Sequence, residues 1–294
     1  MVHGLVIVGV DGSASSLAAA EVAAREARSR GAGLRVVHAI VPPTALVSSG
    51  ASHPGPPEGD QRNRADVLVA EAVERARAAA PDVDVRHVVV AAEPLTVLEA
   101  QSRNADLMVV GSRGRGGFVG LLVGSNAVHL AAHGSCPVLV VREPPHSDGP
   151  VVLGVDGSPA GRRAVDFAFA EAAVRDAPLV ALHCWTAWSG TMPASQEAAT
   201  PYANPSEALA EEAERVLSKA LAGPQERHPG VTVQPRVVHG GTRETLIEAS
   251  RSAQLVVVGT RGRGGFAGLL LGSVSQAVLH HAHCPVAVVR GERR

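Results

Sequence analysis

Apolar and polar positions alternate in blocks along this chain, and the blocks recur. The apolar run Leu5 to Val10 predicts a first strand, and the alanine-rich stretch Ala14 to Ser29 predicts a helix that Ser13 can cap. Leu34 to Val41 predicts a second strand, Arg62 to Ala80 an amphipathic helix, Val83 to Val90 a third strand, and Pro94 to Arg103 a short helix with proline in its first turn. Leu107 to Val110, Ser125 to His133 and Pro137 to Val141 follow as strand, helix and strand. The segment Pro42 to Asp60 is rich in Pro, Gly and Ser and lacks an apolar period, which predicts a mobile loop over the sheet that could serve as a lid.

The scheme then repeats. Residues 106–143 align without a gap on 254–291, with more than half of the positions identical, and Leu5-Val-Ile-Val-Gly-Val-Asp-Gly-Ser13 matches Val151-Val-Leu-Gly-Val-Asp-Gly-Ser158. Strands are expected near 151–155, 179–184, 231–238, 255–259 and 285–289, with Leu209 to Leu221, like Val67 to Ala79, as a sheet-covering helix. The second long loop, Thr186 to Asn204, has no likeness to the first. Alternating strands and helices call for parallel sheets with right-handed crossovers. The expectation is an α/β chain of two doubly wound, open, parallel five-stranded sheets of Rossmann-like form in tandem: a domain over 1–143, a linker over 144–150 and a domain over 151–294.

Composition narrows this further. Of the 294 residues 46% are hydrophobic but only 2% aromatic, so the cores must be built from Val, Leu, Ala and Ile, which suits strands buried on both faces. A net charge of −1 gives no general attraction to nucleic acid or anionic lipid, so neither is expected as a partner. Lys219 is the only lysine, and the positive charge is otherwise arginine. No secretory apolar region precedes Asp11, no segment is long enough to span a bilayer, and the odd cysteine count without a C-x-x-C pair fits a reducing compartment. A cytoplasmic protein is expected.

The candidate chemistry lies in Gly111-Ser-Arg-Gly-Arg-Gly-Gly-Phe-Val-Gly-Leu-Leu-Val-Gly-Ser125 and its second copy, Gly259 to Ser273. Each copy sits between a strand and a helix. Glycines there let backbone N–H groups point outward, and the helix start adds the positive end of its dipole, so the pair forms an anion cradle. Arg113, Arg115, Arg261 and Arg263 are the local cations, with Gly114, Gly116, Gly117, Gly262, Gly264 and Gly265 around them. No Walker A loop is present, because Gly117 stands where its lysine should be, and the first turn, Gly9-Val-Asp-Gly-Ser13, lacks G-x-G-x-x-G. Asp11 and Asp156 end the first strand of each half, where open α/β sheets bind ligands, and could accept from a ribose, help hold a metal, or only cap the next helix.

The spacing of these glycines through Gly124-Ser125 and Gly272-Ser273, with the Gly-Val-Asp-Gly-Ser starts, resembles the nucleotide-binding signature of the universal stress protein family, of the type that binds ATP. That resemblance implies an ATP site in each half, up to two adenine nucleotides per chain, with Mg²⁺ accompanying the nucleotide. It implies that Gly9, Asp11, Gly154 and Asp156 line the pocket and that main chain near Ile40 and Trp185 contacts adenine. The helix starts, Ser125-Asn126 in one half and Ser273-Val274-Ser275 in the other, would face phosphate. It further implies a regulatory or protective role under stress, an unidentified protein partner, and fifth strands that pair within the chain as a pseudo-dimer, with a homodimer also open. The alternatives are a weak ATPase or adenylyl-transferring enzyme, and a nucleotide-independent interaction module. No catalytic constellation is evident. His129 and His133 stand at helical spacing and His280, His281, His283 and Cys284 cluster, as a zinc site would want, but their uneven match between repeats favours surface histidines; no protein-held metal is expected.

Overall fold

The structure, a computed structural model, describes residues 4–41, 58–114, 123–142, 148–186, 205–262 and 271–291. Two compact units are present: Met1–Pro145 with Pro285–Arg290, and His146–Cys284 with Gly291–Arg294. The first contains β1 (Leu5–Gly9), α1 (Ala14–Arg30), β2 (Gly33–Ile40), α2 (Glu58–Ala79), β3 (Val85–Ala91), α3 (Pro94–Ser102), β4 (Leu107–Gly111), α4 (Ser125–His133) and β5 (Val138–Val141). The second contains β6 (Val151–Gly154), a 3₁₀ turn (Pro159–Gly161), α5 (Arg162–Val174), β7 (Leu179–Trp185), α6 (Pro205–Arg227), β8 (Val233–His239), α7 (Thr242–Ala249), β9 (Leu255–Gly259) and α8 (Ser273–His281). The final strand, β10 (Val286–Val289), belongs to the first unit.

Strand order in the first unit is β3-β2-β1-β4-β5, every pair parallel. The second unit repeats it as β8-β7-β6-β9. This is the expected doubly wound α/β class, and in each unit the order reverses beside the first strand, between β1 and β4 or between β6 and β9. Successive crossovers leave that point in opposite directions and open a crevice beyond the strand ends. β5 has β10 antiparallel on its other side, with Leu139 opposite Ala287.

The central Val-rich strands are buried on both faces, as their unbroken apolar runs require, whereas the edge strands β3 and β8 are partly exposed. Val6, Ile7 and Val8 of β1, Val109 of β4, and Val256 and Val257 of β9 have no exposed surface. The helices supply alanine: Ala19, Ala20, Ala23, Ala24 and Ala27 of α1 are all fully buried, so α1 lies close on the sheet. Ser13 caps α1 as the sequence predicts, its hydroxyl accepting from Ser16 N at 3.2 Å, and Gly31 closes it in the left-handed conformation at φ 61°. Helix boundaries differ from expectation. α2 begins at Glu58, inside the segment read as loop, and α6 runs through Pro224 to Arg227, well past Leu221. The remainder of both long loops, 42–57 and 187–204, lies outside the described residues.

Phe169 on α5 is the largest of the fully buried side chains and one of only four phenylalanines. Phe169→Ala is expected to destabilise the chain by about 3–5 kcal/mol, read as a lower urea midpoint at unchanged slope.

Candidate functional site

The site begins at the turn after β1. Gly12, with φ 79°, takes a conformation that residues with a β-carbon avoid, and folds Asp11 back over the start of α1. Asp11 Oδ1 accepts from Ser13 N at 3.0 Å and from Ser13 Oγ at 2.7 Å, while Ser16 Oγ accepts from Asp11 N at 3.2 Å. The second unit builds the same turn: Gly157 has φ 72°, and Asp156 Oδ1 accepts from Ser158 N at 3.0 Å and Ser158 Oγ at 2.9 Å. The aspartates therefore do not cap the helices. Ser13 caps α1 and Ser158 caps the 3₁₀ turn ahead of α5, and the aspartates hold those serines in place.

Beside each aspartate passes the chain leaving the fourth strand. A β-carbon on Gly114 would lie 2.6 Å from Asp11 Oδ2, and one on Gly262 would lie 3.1 Å from Asp156 Oδ2. Gly111 is tighter still, since its β-carbon would meet Ser15 Oγ at 2.5 Å. The two ends of each glycine stretch are tied together by one hydrogen bond, Gly124 N to Ser112 O and Gly272 N to Thr260 O, both 2.7 Å. That bond brings the starts of α4 and α8, with Ser125, Asn126, Ser273 and Val274, next to the strand ends. The loops are fastened differently: Arg113 N donates to Ser15 Oγ at 3.3 Å in the first unit, whereas Ser275 Oγ donates to Gly259 O at 2.6 Å in the second. Arg113 and Arg261 are exposed at the mouth. Arg115, Gly116, Gly117, Arg263, Gly264 and Gly265 lie outside the described residues.

Gly9 and Gly154 close their strands for a packing reason. A β-carbon on Gly9 would meet Leu98 at 2.9 Å and one on Gly154 would meet Leu246 at 3.1 Å, so both make room for a leucine of the helix below. Ile40 ends β2, half-buried. Trp185 ends β7, where its carbonyl accepts from Gly240 N at 3.0 Å and its ring lies 4.5 Å from that of His239.

Sequence reasoning passed over one pair. His38 and His183 each place Nδ1 2.7 Å from a carbonyl, Val10 O and Val155 O, immediately before the aspartate. A carbonyl can only accept, so each Nδ1 carries the proton and Nε2 is left with its lone pair. The signal was present as a histidine two residues before the end of the second strand in both halves.

In the second unit these parts border a cleft of about 650 Å³, lined by Asp156, His183, Trp185, Glu212, Arg261 and Ser273 among others. Asp156 Oδ2 is buried and has no hydrogen-bond partner among the described residues. An unpaired buried acceptor costs about 1–3 kcal/mol, so this oxygen is an acceptor in want of a donor. Cys184 also borders the cleft, and burial pushes its thiol pKa up. Among the described residues, the only His/Cys/Asp/Glu group with metal-ligand proximity is Glu99, His129 and His133. His280, His281 and His283 form no such group there.

The model of the universal stress protein family matches residues 5–142 and again 149–290. The chain is 38% identical over 298 residues to universal stress protein Rv2623 of Mycobacterium tuberculosis, covering 97% of this chain and 96% of that one. It is 39% identical to universal stress protein Rv2005c of the same organism, covering 98% and 97%. Among solved structures, the crystal structure of a universal stress protein from Archaeoglobus fulgidus superposes with a TM-score of 0.70 at 18% identity, covering 98% of this chain and 97% of that one, a likeness of fold. This chain belongs to the universal stress protein family, with two such domains in tandem. Among the described residues no helix is long and apolar enough to cross a membrane.

The thiols give a test of these surroundings. Burial raises Cys136 from 9.0 to about 12, so the folded chain keeps that thiol neutral where the unfolded chain ionises it. Its contribution to stability is complete below pH 9 and is lost progressively as pH rises towards 12. At pH 8 a maleimide is expected to label Cys184 slowly and Cys136 only after denaturation, followed by mass spectrometry of the labelled peptides.

Proposed function

We propose that this chain is an ATP-binding universal stress protein in which each half holds one adenine nucleotide beyond the carboxyl ends of its strands, and that the occupied chain acts as a regulator or protector under stress. The observation that carries this reading is the unpartnered, buried Asp156 Oδ2 beside a cleft of about 650 Å³. That volume lies within the usual range for small-ligand sites, about 300–1,000 Å³. A ribose hydroxyl, or a water of a Mg²⁺ ion carried in with the triphosphate, would supply the missing donor. The backbone N–H groups of the glycine stretch and the first turns of α4 and α8 would take the phosphates, with Arg113 and Arg261 neutralising charge from the mouth. In the first half Gly114 likewise passes beside the Asp11 carboxylate.

Asp11 and Asp156 each already accept two hydrogen bonds on Oδ1, and no lysine stands in the loop. The reading is therefore binding with slow turnover, which suits a sensor because the occupied state persists long enough for a partner protein to read it. A cytoplasmic setting and an intrachain pseudo-dimer built on the fifth strands belong to the same proposal, supported by three free cysteines and by the antiparallel register of β10 on β5.

Calorimetric titration of nucleotide-stripped protein with ATP and Mg²⁺ is expected to give two sites per chain. Gly114→Val and Gly262→Val should each remove one, because the added side chain drives into a fixed carboxylate. One site in the wild type, or two in both variants, contradicts the reading. Turnover is expected well below about 1 per second, the low end of ordinary enzyme rates. A faster rate that Asp11→Ala with Asp156→Ala abolishes, nucleotide still bound, would make the chain an ATPase instead.

A further inference from the structure

The side-chain cluster between α3 and α4 is independent of the cleft. His129 and His133 are one turn apart on α4, and Glu99 faces them from α3. His129 Nε2 lies 2.5 Å from Glu99 Oε1, the two imidazoles stack at 4.0 Å, and one donor atom from each of the three residues falls within 4.8 Å of the others. His133 Nδ1 lies 3.0 Å from His129 O and must donate to it, which leaves Nε2 in the tautomer that ligates a metal. All three residues are partly exposed, so an ion has a way in.

We propose that Glu99, His129 and His133 form a binding site for a zinc-class divalent transition-metal ion, held by two imidazoles and a carboxylate with the remaining position open to water. Two nitrogens and one oxygen are a ligand set that zinc accepts and that magnesium, which prefers oxygen alone, does not. A tetrahedral zinc with bonds of about 2.1 Å sets its donors about 3.4 Å apart, so gaps of up to 4.8 Å close by little more than an ångström while His129 Nε2 and Glu99 Oε1, now 2.5 Å apart, open by about one. For the ion to bind at His129 Nε2 the ring carries its proton on Nδ1 instead, and Glu99 exchanges its hydrogen bond for a metal bond.

The helices are held ready for this. Ser102, at the end of α3, accepts from Ser135 N at 3.0 Å with the same hydroxyl that donates to Glu99 O at 2.7 Å. The second unit has the identical clamp, His283 N to Ser250 Oγ at 2.9 Å and Ser250 Oγ to Ile247 O at 2.5 Å. The clamp fixes the correspondence residue by residue. Where the first half has Glu99, His129 and His133, the second has Ile247, Ala277 and His281. Two donors are thus absent together from an otherwise matching frame, and both replacements are apolar. An ordinary surface histidine would not require its carboxylate neighbour to change with it. The chain carries its own metal-free control.

The test is calorimetric titration of the chelator-stripped full chain with Zn²⁺, with Co²⁺ absorption as a coordination readout. One saturable site is expected in the wild type. His129→Ala and Glu99→Gln should each weaken binding at least about tenfold, as even loss of a residue supporting a ligand does. Glu99→Gln keeps the hydrogen-bonding shape, so lost binding with an unchanged melting temperature separates ligation from a polar fastening of the helices. His281→Ala should change nothing. The double substitution Ile247→Glu with Ala277→His should add a second site in the second half. Absence of saturable Zn²⁺ binding in the wild type, wild-type affinity in both His129→Ala and Glu99→Gln, or loss of binding in His281→Ala would overturn the proposal.

Discussion

A β-carbon on Gly114 would overlap the aspartate that follows the first strand and one on Gly262 would press hard on its counterpart, and the rest of each half is arranged around that close approach. The carboxylate cannot swing aside, because two donors of the next serine hold its other oxygen at 2.7–3.0 Å in both units. The glycine must therefore stay where Gly114 and Gly262 are. The parallel order that seats β1 beside β4, and β6 beside β9, makes the approach unavoidable. Contact with a bare backbone is also what a phosphate-sized anion would need, so the steric rule and the chemical opportunity share an origin.

Around that shared feature the halves have diverged. Each loop is fastened by a serine hydroxyl, but from opposite sides. Ser15 on α1 does it in the first unit, where α4 offers only Ala127 at the place of Ser275; in the second, Ser275 does it and Ala160 stands at the place of Ser15. The first loop is thereby tethered to the helix after the first strand, and the second to the helix it leads into. Duplication gives two copies of a frame, and single polar atoms decide what each copy is tied to.

The large features could be read from the chain because they repeat or obey a period. The central Val-rich runs are strands buried on both faces, Ser13 caps its helix, and the glycine stretches lie between strand and helix in both units. What escaped depends on side chains that meet only in three dimensions. Glu99 carries no sign in its own neighbourhood that His129 lies across from it, and His38 looks like any strand-end histidine until its ring is found on Val10 O. Gly9 was legible as a glycine but not for its reason, which is Leu98 in the next layer. The end of α6 lies past Leu221, because the helix runs through Pro224 to Arg227.

The placement of β10 has a consequence for how the chain comes to its fold. Leu139 finds its neighbour in Ala287, so one flank of β5 gains its partner only when nearly all of the chain is available. During synthesis, β1 to β5 emerge early and can assemble as a sheet whose last strand still presents an apolar edge for the whole time the second half is being made. The entropy of closing so long a loop grows only slowly with its length, so the final joining is not costly; the exposure is in time. A ribosome-bound intermediate of this chain would carry a sticky seam that the finished molecule conceals.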